Sequence, residues 1–397
     1  MTNFLWGAAS SAYQIEGNNT ASDWWWIEHQ AQSSMERSGD AVDSYHRYPE
    51  DMRLLAEAGL NTYRFSLEWA RIEPAPGEFS RAALAHYRRM IDTALGFGLT
   101  PFVTLQHFTH PLWFSQDGGW HGPKSVERFA RYAEQAATIL HDVPWVCTIN
   151  EPNVETLSAR LVDRFVSGEA TSMTVTTPDI VLPTPDRATG SILAEAHAAA
   201  KDVLRENTDA KTGWTVACQA LTPTPGSEDK FAEVKYAWED FYLEQSRGDD
   251  YVGVQSYTSQ TVDENGIVPH PESPDNTLAG WAYRPDALGI AIRNAAEVTP
   301  GTPIVVTENG IATHDDERRI RYTDEALRSL FDAVDDGIDV RGYLHWSALD
   351  NFEWGHWEPT FGLIAVDRTT FERTPKPSLR WLGEVARKGR LQEGDAA

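Results

Sequence analysis

A single parallel (β/α)8 barrel, the eight-stranded TIM-type α/β fold, is what this sequence predicts, and three observations predict it. Short runs rich in β-forming residues recur eight times along the 397 residues. Most are apolar throughout, as strands covered on both faces are. Helical patterns with one apolar stripe lie between the runs. Three of those helices end in glycine, an apolar residue and then a strand: Ala58-Gly59-Leu60, Phe97-Gly98-Leu99 and Asp336-Gly337-Ile338. Glycine there fits a left-handed helix cap leading into a buried strand. Strand–helix alternation implies parallel strands with right-handed crossovers, and eight is the number that closes a barrel. A doubly wound open sheet would need a glycine-rich phosphate loop after the first strand, and Gly7-Ala8-Ala9-Ser10 is not one.

In chain order the predicted strands are 4–8, 62–66, 101–105, 145–150, 213–218, 251–257, 303–308 and 341–346. The predicted helices are 49–58, 81–97, 126–140, 187–206, 229–246, 285–298, 323–336 and 378–388. In the second of these Leu84, Tyr87, Ile91, Ala94 and Leu95 share a face; in the third Phe129, Tyr132, Ala133, Ala136 and Ile139 do. The stretches 10–48, 154–186 and 258–284 lack either period and read as loops on one barrel face. No linker or low-complexity stretch divides the chain, so 1–397 reads as one domain with a polar tail at about 389–397.

Composition narrows the function. Hydrophobic residues are 41% and charged residues 23%, ordinary for a globular protein, which excludes disorder as the main state. The net charge of −25 would repel phosphate backbones and anionic lipid, so neither nucleic acid nor a membrane is an expected partner. No run is long and apolar enough to span a bilayer, and the start Met1-Thr2-Asn3-Phe4-Leu5-Trp6 does not resemble a signal peptide. Cys147 and Cys218, the only two cysteines, lie in apolar runs and read as buried thiols. A cytoplasmic location is the resulting expectation.

In a barrel of this kind the chemistry sits at the C-terminal ends of the strands. Those ends offer Gln14, Arg64, His107, Asn150, Glu151, Tyr257, Glu308, Trp346, Glu353 and Trp354. Two carboxylates, several amide and imidazole groups and indole faces thus converge on one mouth. Acetal hydrolysis needs this set: one carboxylate attacks or steadies an oxocarbenium-like centre, the other protonates the leaving oxygen, and aromatic faces stack on a sugar ring. His107 and His110 have a spacing metal ligands can have, but no cysteine or carboxylate stands beside them at ligand spacing, so no metal is expected. The run Trp24-Trp25-Trp26 reads as packing under a long loop, with a substrate platform as the alternative.

The motifs resemble a known family. Phe4-Leu5-Trp6-Gly7-Ala8-Ala9-Ser10-Ser11-Ala12-Tyr13-Gln14-Ile15-Glu16-Gly17 is similar to the N-terminal signature of glycoside hydrolase family 1, the β-glucosidase family. Thr148-Ile149-Asn150-Glu151-Pro152 resembles its acid/base motif, and Val306-Thr307-Glu308-Asn309-Gly310 its nucleophile motif. Trp346-Ser347-Ala348-Leu349-Asp350-Asn351-Phe352-Glu353-Trp354 resembles its sugar-binding segment. Tyr63-Arg64-Phe65-Ser66-Leu67-Glu68-Trp69 and Gln106-His107-Phe108 fall in the family's order, so the resemblance covers about 4–388.

The resemblance implies the same barrel fold and a retaining β-glycosidase acting on β-glucosides, with galactosides and fucosides possible substrates, and no coenzyme or metal. Glu308 would be the nucleophile and Glu151 the acid/base, held about 5–5.5 Å apart. The Glu308 charge would raise the Glu151 pKa, while Arg64 and the Tyr257 hydroxyl keep Glu308 ionised. Asn150 would hold the sugar 2-hydroxyl. Gln14, His107, Glu353 and Trp354 would ring the other hydroxyls, with Trp346 as platform and Phe361 as an apolar wall. An ionised Glu353 would repel a 6-phosphate. The sequence departs from the family at Gln255-Ser256-Tyr257, where Gln255 has no assigned role, and at Asn153, where tryptophan is commoner. Shortened loops at about 18–40, 154–186 and 258–284 imply an open or reshaped leaving-group side. Two alternatives stay open: an enzyme that transfers the sugar to a specialised acceptor, and an inactive sugar-binding barrel. The intact Glu151 and Glu308 argue against the second.

Overall fold

A computed structural model describes residues 4–168 and 183–391. Eight parallel strands close a barrel. In chain order these barrel strands are β1 (Leu5–Ala9), β2 (Thr62–Ser66), β3 (Thr100–Gln106), β4 (Trp145–Asn150), β5 (Lys211–Ala217), β6 (Val252–Gln255), β7 (Ile304–Asn309) and β8 (Val340–Trp346). Each pairs with its sequence neighbours, and β1 closes on β8 with Leu5 opposite Gly342 and Ala9 opposite Trp346. The eight predicted strands are all present. β1, β2, β4, β6 and β7 are buried along their whole length, which is why they read as continuous apolar runs rather than alternating ones.

Helices follow the strands and form the outer ring. Arg81–Gly96, Ser125–Ala137, Arg187–Asn207, Ala287–Val298 and Pro377–Lys388 lie within a few residues of their predicted bounds. Two helices start earlier than predicted, Ser44–Ala58 by five residues and Asp316–Asp335 by seven. The first of these runs through Pro49. The second is started by Asp315, whose side chain caps the amides of Glu317 and Arg318. The predicted helix 229–246 is split by a π-helical turn at Tyr236–Asp240. Gly59, Gly98 and Gly337 have φ of 106°, 76° and 94°, the left-handed conformation expected of them. Gly7 is needed for another reason: a Cβ there would stand 2.2 Å from the Thr62 carbonyl oxygen, so any side chain would push β1 off β2.

The largest correction concerns the supposed loop 154–186. Pro152–Val166 is a helix, with proline in its first turn where the missing N–H costs nothing. Residues 169–182 of that stretch lie outside the described residues, as do 1–3 and 392–397 of the two ends. The stretch 10–48 holds the short helices Ala12–Glu16 and Asp23–Glu28, and 258–284 holds short strand pieces at Thr261–Asp263 and Gly266–Ile267. The main apolar core lies between the strands and the helical ring. A second cluster, with Phe102 stacked on Trp145 at 5.9 Å, fills the barrel interior beneath the site. No helix among the described residues is long and apolar enough to cross a membrane.

Candidate active site

The C-terminal barrel mouth opens into a cavity of about 1080 Å³. Glu308 stands in its floor, 4% exposed, near the end of β7. Two strand ends aim three donors at its carboxylate. Arg64 Nη1 from β2 donates to Oε1 at 2.5 Å, Gln255 Nε2 from β6 donates to Oε1 at 2.7 Å, and the Tyr257 hydroxyl donates to Oε2 at 2.5 Å. Burial pushes the Glu308 pKa up, and Arg64, Tyr257 and Gln255 pull against it. Arg64 and Tyr257, the groups expected from the sequence to keep Glu308 ionised, both pull in that direction; Gln255 joins them, and desolvation, which that expectation did not name, is the largest single effect.

Glu151 lines the same cavity from the junction between β4 and the helix Pro152–Val166. It takes a left-handed φ of 43°, a conformation that side-chain-bearing residues seldom adopt and that clusters at functional sites. Its amide is anchored to the Thr215 carbonyl at 2.9 Å. Asn153, one turn on, ties the helix start to β5: its amide donates to the carbonyls of Ala217 and Trp238 at 2.7 and 2.8 Å. The departure at Asn153 thus has a structural role. The Glu151 carboxyl has no hydrogen-bond partner among the described residues. Burial first, and the nearby Glu308 charge second, push its pKa well above the usual carboxylate range. A buried and a half-buried carboxyl group therefore share one cavity in opposite settings, one held by three donors and one held by none.

A third, half-buried carboxyl group lines the same cavity. Glu353 accepts from Asn351 at 2.9 Å, Gln14 at 3.1 Å and Trp346 Nε1 at 3.2 Å. Burial nevertheless raises its pKa to about 8. At pH 7 the empty site holds it mainly as the acid, so the repulsion of a 6-phosphate expected from the sequence is weakened. His107 stacks between Trp346 and Trp354 at 5.8 and 6.0 Å, and burial holds it neutral. Phe361 packs against Tyr257 and Trp281 on another side of the cavity.

Eight predicted site residues line the cavity: His107, Glu151, Tyr257, Glu308, Trp346, Glu353, Trp354 and Phe361. Gln14, Arg64 and Asn150 are fully buried, and Gln14 and Arg64 act through the groups they hold. The Gln14 side chain is occupied by Ser11, Phe352 and Glu353, which revises its expected direct contact with a hydroxyl. Asn150 Oδ1 accepts from Arg64 at 2.6 Å and Gln255 at 3.0 Å, and its Nδ2 donor is left without a partner. Trp24 packs edge-on against Trp354 at 4.8 Å and also borders the cavity, so it serves both readings of the tryptophan run.

Sequence reasoning gave Gln255 no role, although its place beside Tyr257 at a strand end was a signal. It also missed a buried ion cluster behind the wall. His110 bridges Asp23 at 3.1 Å and Glu155 at 3.3 Å, and Glu155 also accepts from Trp120 at 2.8 Å and Gln106 at 3.2 Å. Burial disfavours the His110 cation, but the two carboxylates outweigh it and raise the pKa to about 10. Asp23, His110 and Glu155 are far apart in sequence, and only the fold brings them together.

A barrel whose mouth carries paired carboxyl groups in contrasting settings, ringed by indoles and hydroxyl-binding groups, is built for glycoside hydrolysis. The sequence model of Glycosyl hydrolase family 1 matches residues 1–277 and 250–390. The thermostable beta-glucosidase B of Thermobispora bispora is 30% identical over 446 positions, covering 99% of this chain and 91% of that one. The bifunctional beta-D-glucosidase/beta-D-fucosidase of Bifidobacterium breve is 30% identical over 95% of this chain and 96% of its own. Among solved structures, a beta-glycosidase from Pyrococcus horikoshii superposes with a TM-score of 0.87 at 32% identity, covering 99% of this chain and 96% of that one. The chain belongs to glycosyl hydrolase family 1 and is an O-glycosyl hydrolase of the retaining β-glycosidase type. Alignments longer than its 397 residues mean that these relatives carry segments it lacks.

Proposed function

We propose that this chain removes the terminal non-reducing β-D-glucosyl residue from a small β-glycoside or oligosaccharide, with β-galactosyl and β-fucosyl groups as further substrates. Glu308 acts as nucleophile and Glu151 as acid/base. The observation that carries the assignment is the asymmetry of the pair: three donors on Glu308 and none on Glu151. In the first step the Glu308 carboxylate bonds to the anomeric carbon, the bond to the aglycone oxygen breaks, and the Glu151 proton goes to that oxygen. Esterified Glu308 carries no charge, so Glu151 loses the repulsion that raised its pKa and becomes a better base. In the second step water gives a proton to Glu151 and its oxygen replaces Glu308 on the anomeric carbon. Two inversions retain the configuration.

Asn150, with its free Nδ2, is placed to hold the 2-hydroxyl, a contact that tightens in the transition state. Glu353 and His107 take the remaining hydroxyls, Trp346 and Trp354 offer ring faces, and Phe361 bounds the exocyclic group. The glucoside and fucoside preference leans on the names of the relatives. The two free thiols fit a reducing compartment, and we place the protein in the cytoplasm on that ground; cell fractionation tests it.

The test is a panel of nitrophenyl β-glycosides with wild type, Glu308→Ala and Glu151→Ala. Rates should fall by on the order of 10⁵-fold or more for Glu308→Ala and about 10²–10⁴-fold for Glu151→Ala. Azide should then restore turnover with opposite products, the α-glycosyl azide from Glu308→Ala and the β-glycosyl azide from Glu151→Ala. Azide products of a single configuration would refute the roles, and a wild type inert on every sugar would refute the substrate class.

A further inference from the structure

The cavity continues well past the sugar-sized space at Glu308 and Glu353. Its volume of about 1080 Å³ exceeds the roughly 300–1,000 Å³ usual for a small-molecule site. Glu151 caps the helix Pro152–Val166, and Val154, Leu157 and Leu161 on that helix line the cavity at helical spacing. Leu278 and Trp281 add further apolar wall. The acid/base must touch the leaving oxygen, so a wall that begins at Glu151 lies on the leaving-group side. Arg160 and Arg164 stand further along the same helix and also line the cavity. At 1.5 Å per residue they lie about 14 and about 20 Å beyond Glu151 along the helix axis.

Acidic residues outnumber basic ones 59 to 34, and exposed arginines such as Arg293, Arg328 and Arg341 each hold a carboxylate. Arg284, also at this mouth, is held by Asp286. Arg160 and Arg164 are exposed, and their guanidinium groups make no hydrogen bond or ion pair with a described residue. Arg37, Arg81, Arg89 and Arg380 also lack a carboxylate among the described residues, but of these arginines only Arg160 and Arg164 line the cavity. Four residues apart, they present two guanidinium groups on one side of the helix. Glu358 borders the cavity as well, with its carboxylate 3.4 Å from His314. A protein of net charge −25 repels anions at long range, so two cations with no carboxylate among the described residues, at the end of an apolar channel, matter most to an anion already inside it, within a Debye length of about 8–10 Å.

We propose that the outer half of this cavity binds an elongated, largely apolar aglycone whose far end carries a carboxylate or sulfate held by Arg160 and Arg164. This rests on the reading of Glu151 as acid/base. Guanidinium groups suit such planar or trigonal anions because they donate in pairs. The anionic group remains on the released aglycone, and the reacting bonds are those of the hydrolysis already described.

The test compares 4′-carboxybiphenyl-4-yl β-glucoside with its neutral 4′-carboxamide, alongside nitrophenyl β-glucoside. Wild type should favour the carboxylate about tenfold in kcat/KM, mostly through KM, the scale of two partly exposed ion pairs. The 4′-sulfate should behave as the carboxylate does, and added salt should erode the preference. In Arg160→Ala/Arg164→Ala the ratio should fall to near one. Reading the ratio cancels any loss of folded enzyme. Equal rates in wild type, or a preference that survives the double substitution, would overturn the proposal. So would turnover of nitrophenyl β-glucoside with neither biphenyl substrate cleaved. Failure on nitrophenyl β-glucoside itself would strike at the proposed glucosidase function instead.

Discussion

The inner and outer ends of the one cavity are built differently. At the inner end, side chains from several strand ends meet at fixed distances. Glu308 takes three donors from two strands and the residues just beyond, and Glu353 takes three more. At the outer end the wall is a helix and a loop, with Val154, Leu157, Leu161 and Trp281 facing open space. The inner end arranges charge before substrate arrives, which is where an enzyme gains most in the transition state. The outer end offers apolar area, which binds by shape and tolerates change. Preorganisation follows the strands, and adaptability follows the connections.

The largest expected break in this contrast is on the hidden side of the helix that forms the outer wall. Glu155→Ala removes one partner from the buried Asp23–His110–Glu155 cluster and leaves the buried His110 Nε2 and Trp120 Nε1 donors without their carboxylate acceptor. Folding stability should fall by about 2–5 kcal/mol, at roughly 1–3 kcal/mol for each buried donor left unsatisfied, read as a shift in the denaturant midpoint. Next comes Gln255→Ala. It deletes a 2.7 Å donor to Glu308, and a hydrogen bond to a charged group contributes about 1.5–3 kcal/mol. We expect kcat/KM to fall by roughly 10–150-fold. The acid limb of the pH profile should move up, since Glu308 loses a group that favoured its anion. A stability loss with an unmoved acid limb would make Gln255 a packing residue only.

A smaller effect concerns pH. Glu16 and Glu239 at about 7, Glu353 at about 8 and His110 at about 10 all keep protons in the folded chain that the unfolded chain has released. The folded state then binds more protons, so stability falls with rising pH from 4.5 to about 7 through Glu16 and Glu239, from 4.5 to about 8 through Glu353, and from 6.5 to about 10 through His110. Below about 6.5 the buried neutral His86 and His345, at about 4 and about 3, act in the opposite sense. The thermal midpoint should therefore drop between pH 6.5 and 9, and Glu353→Gln should flatten that slope. A midpoint that climbs over this window would contradict the burial effects. The smallest effect belongs to the outer wall: Leu157→Ala, at a half-buried position, should change KM for nitrophenyl β-glucoside less than about threefold and cost under about 1 kcal/mol.

Much of the inner end was legible in the sequence because its residues sit at strand ends. A buried parallel strand reads as an apolar run, so its last residue can be numbered, and Glu308, Arg64 and Asn150 were found that way. The helix Pro152–Val166 was not legible, because its apolar residues serve two surfaces at once, the core on one side and the cavity on the other, which blurs a single stripe. Gln255 was visible only as an exception to a motif; its meaning lay in the distance to Glu308.

By itself the sequence determined the barrel, the strand order and the identity of the groups at its mouth. Local periodicity and strand-end position carry that information along the chain. Only the tertiary structure decided which carboxyl group is held by donors and which stands alone, that Gln14 supports Glu353, and that Asp23, His110 and Glu155 form one buried cluster. Those outcomes depend on burial and on distances between residues far apart in the chain, and desolvation and Coulomb effects act through space.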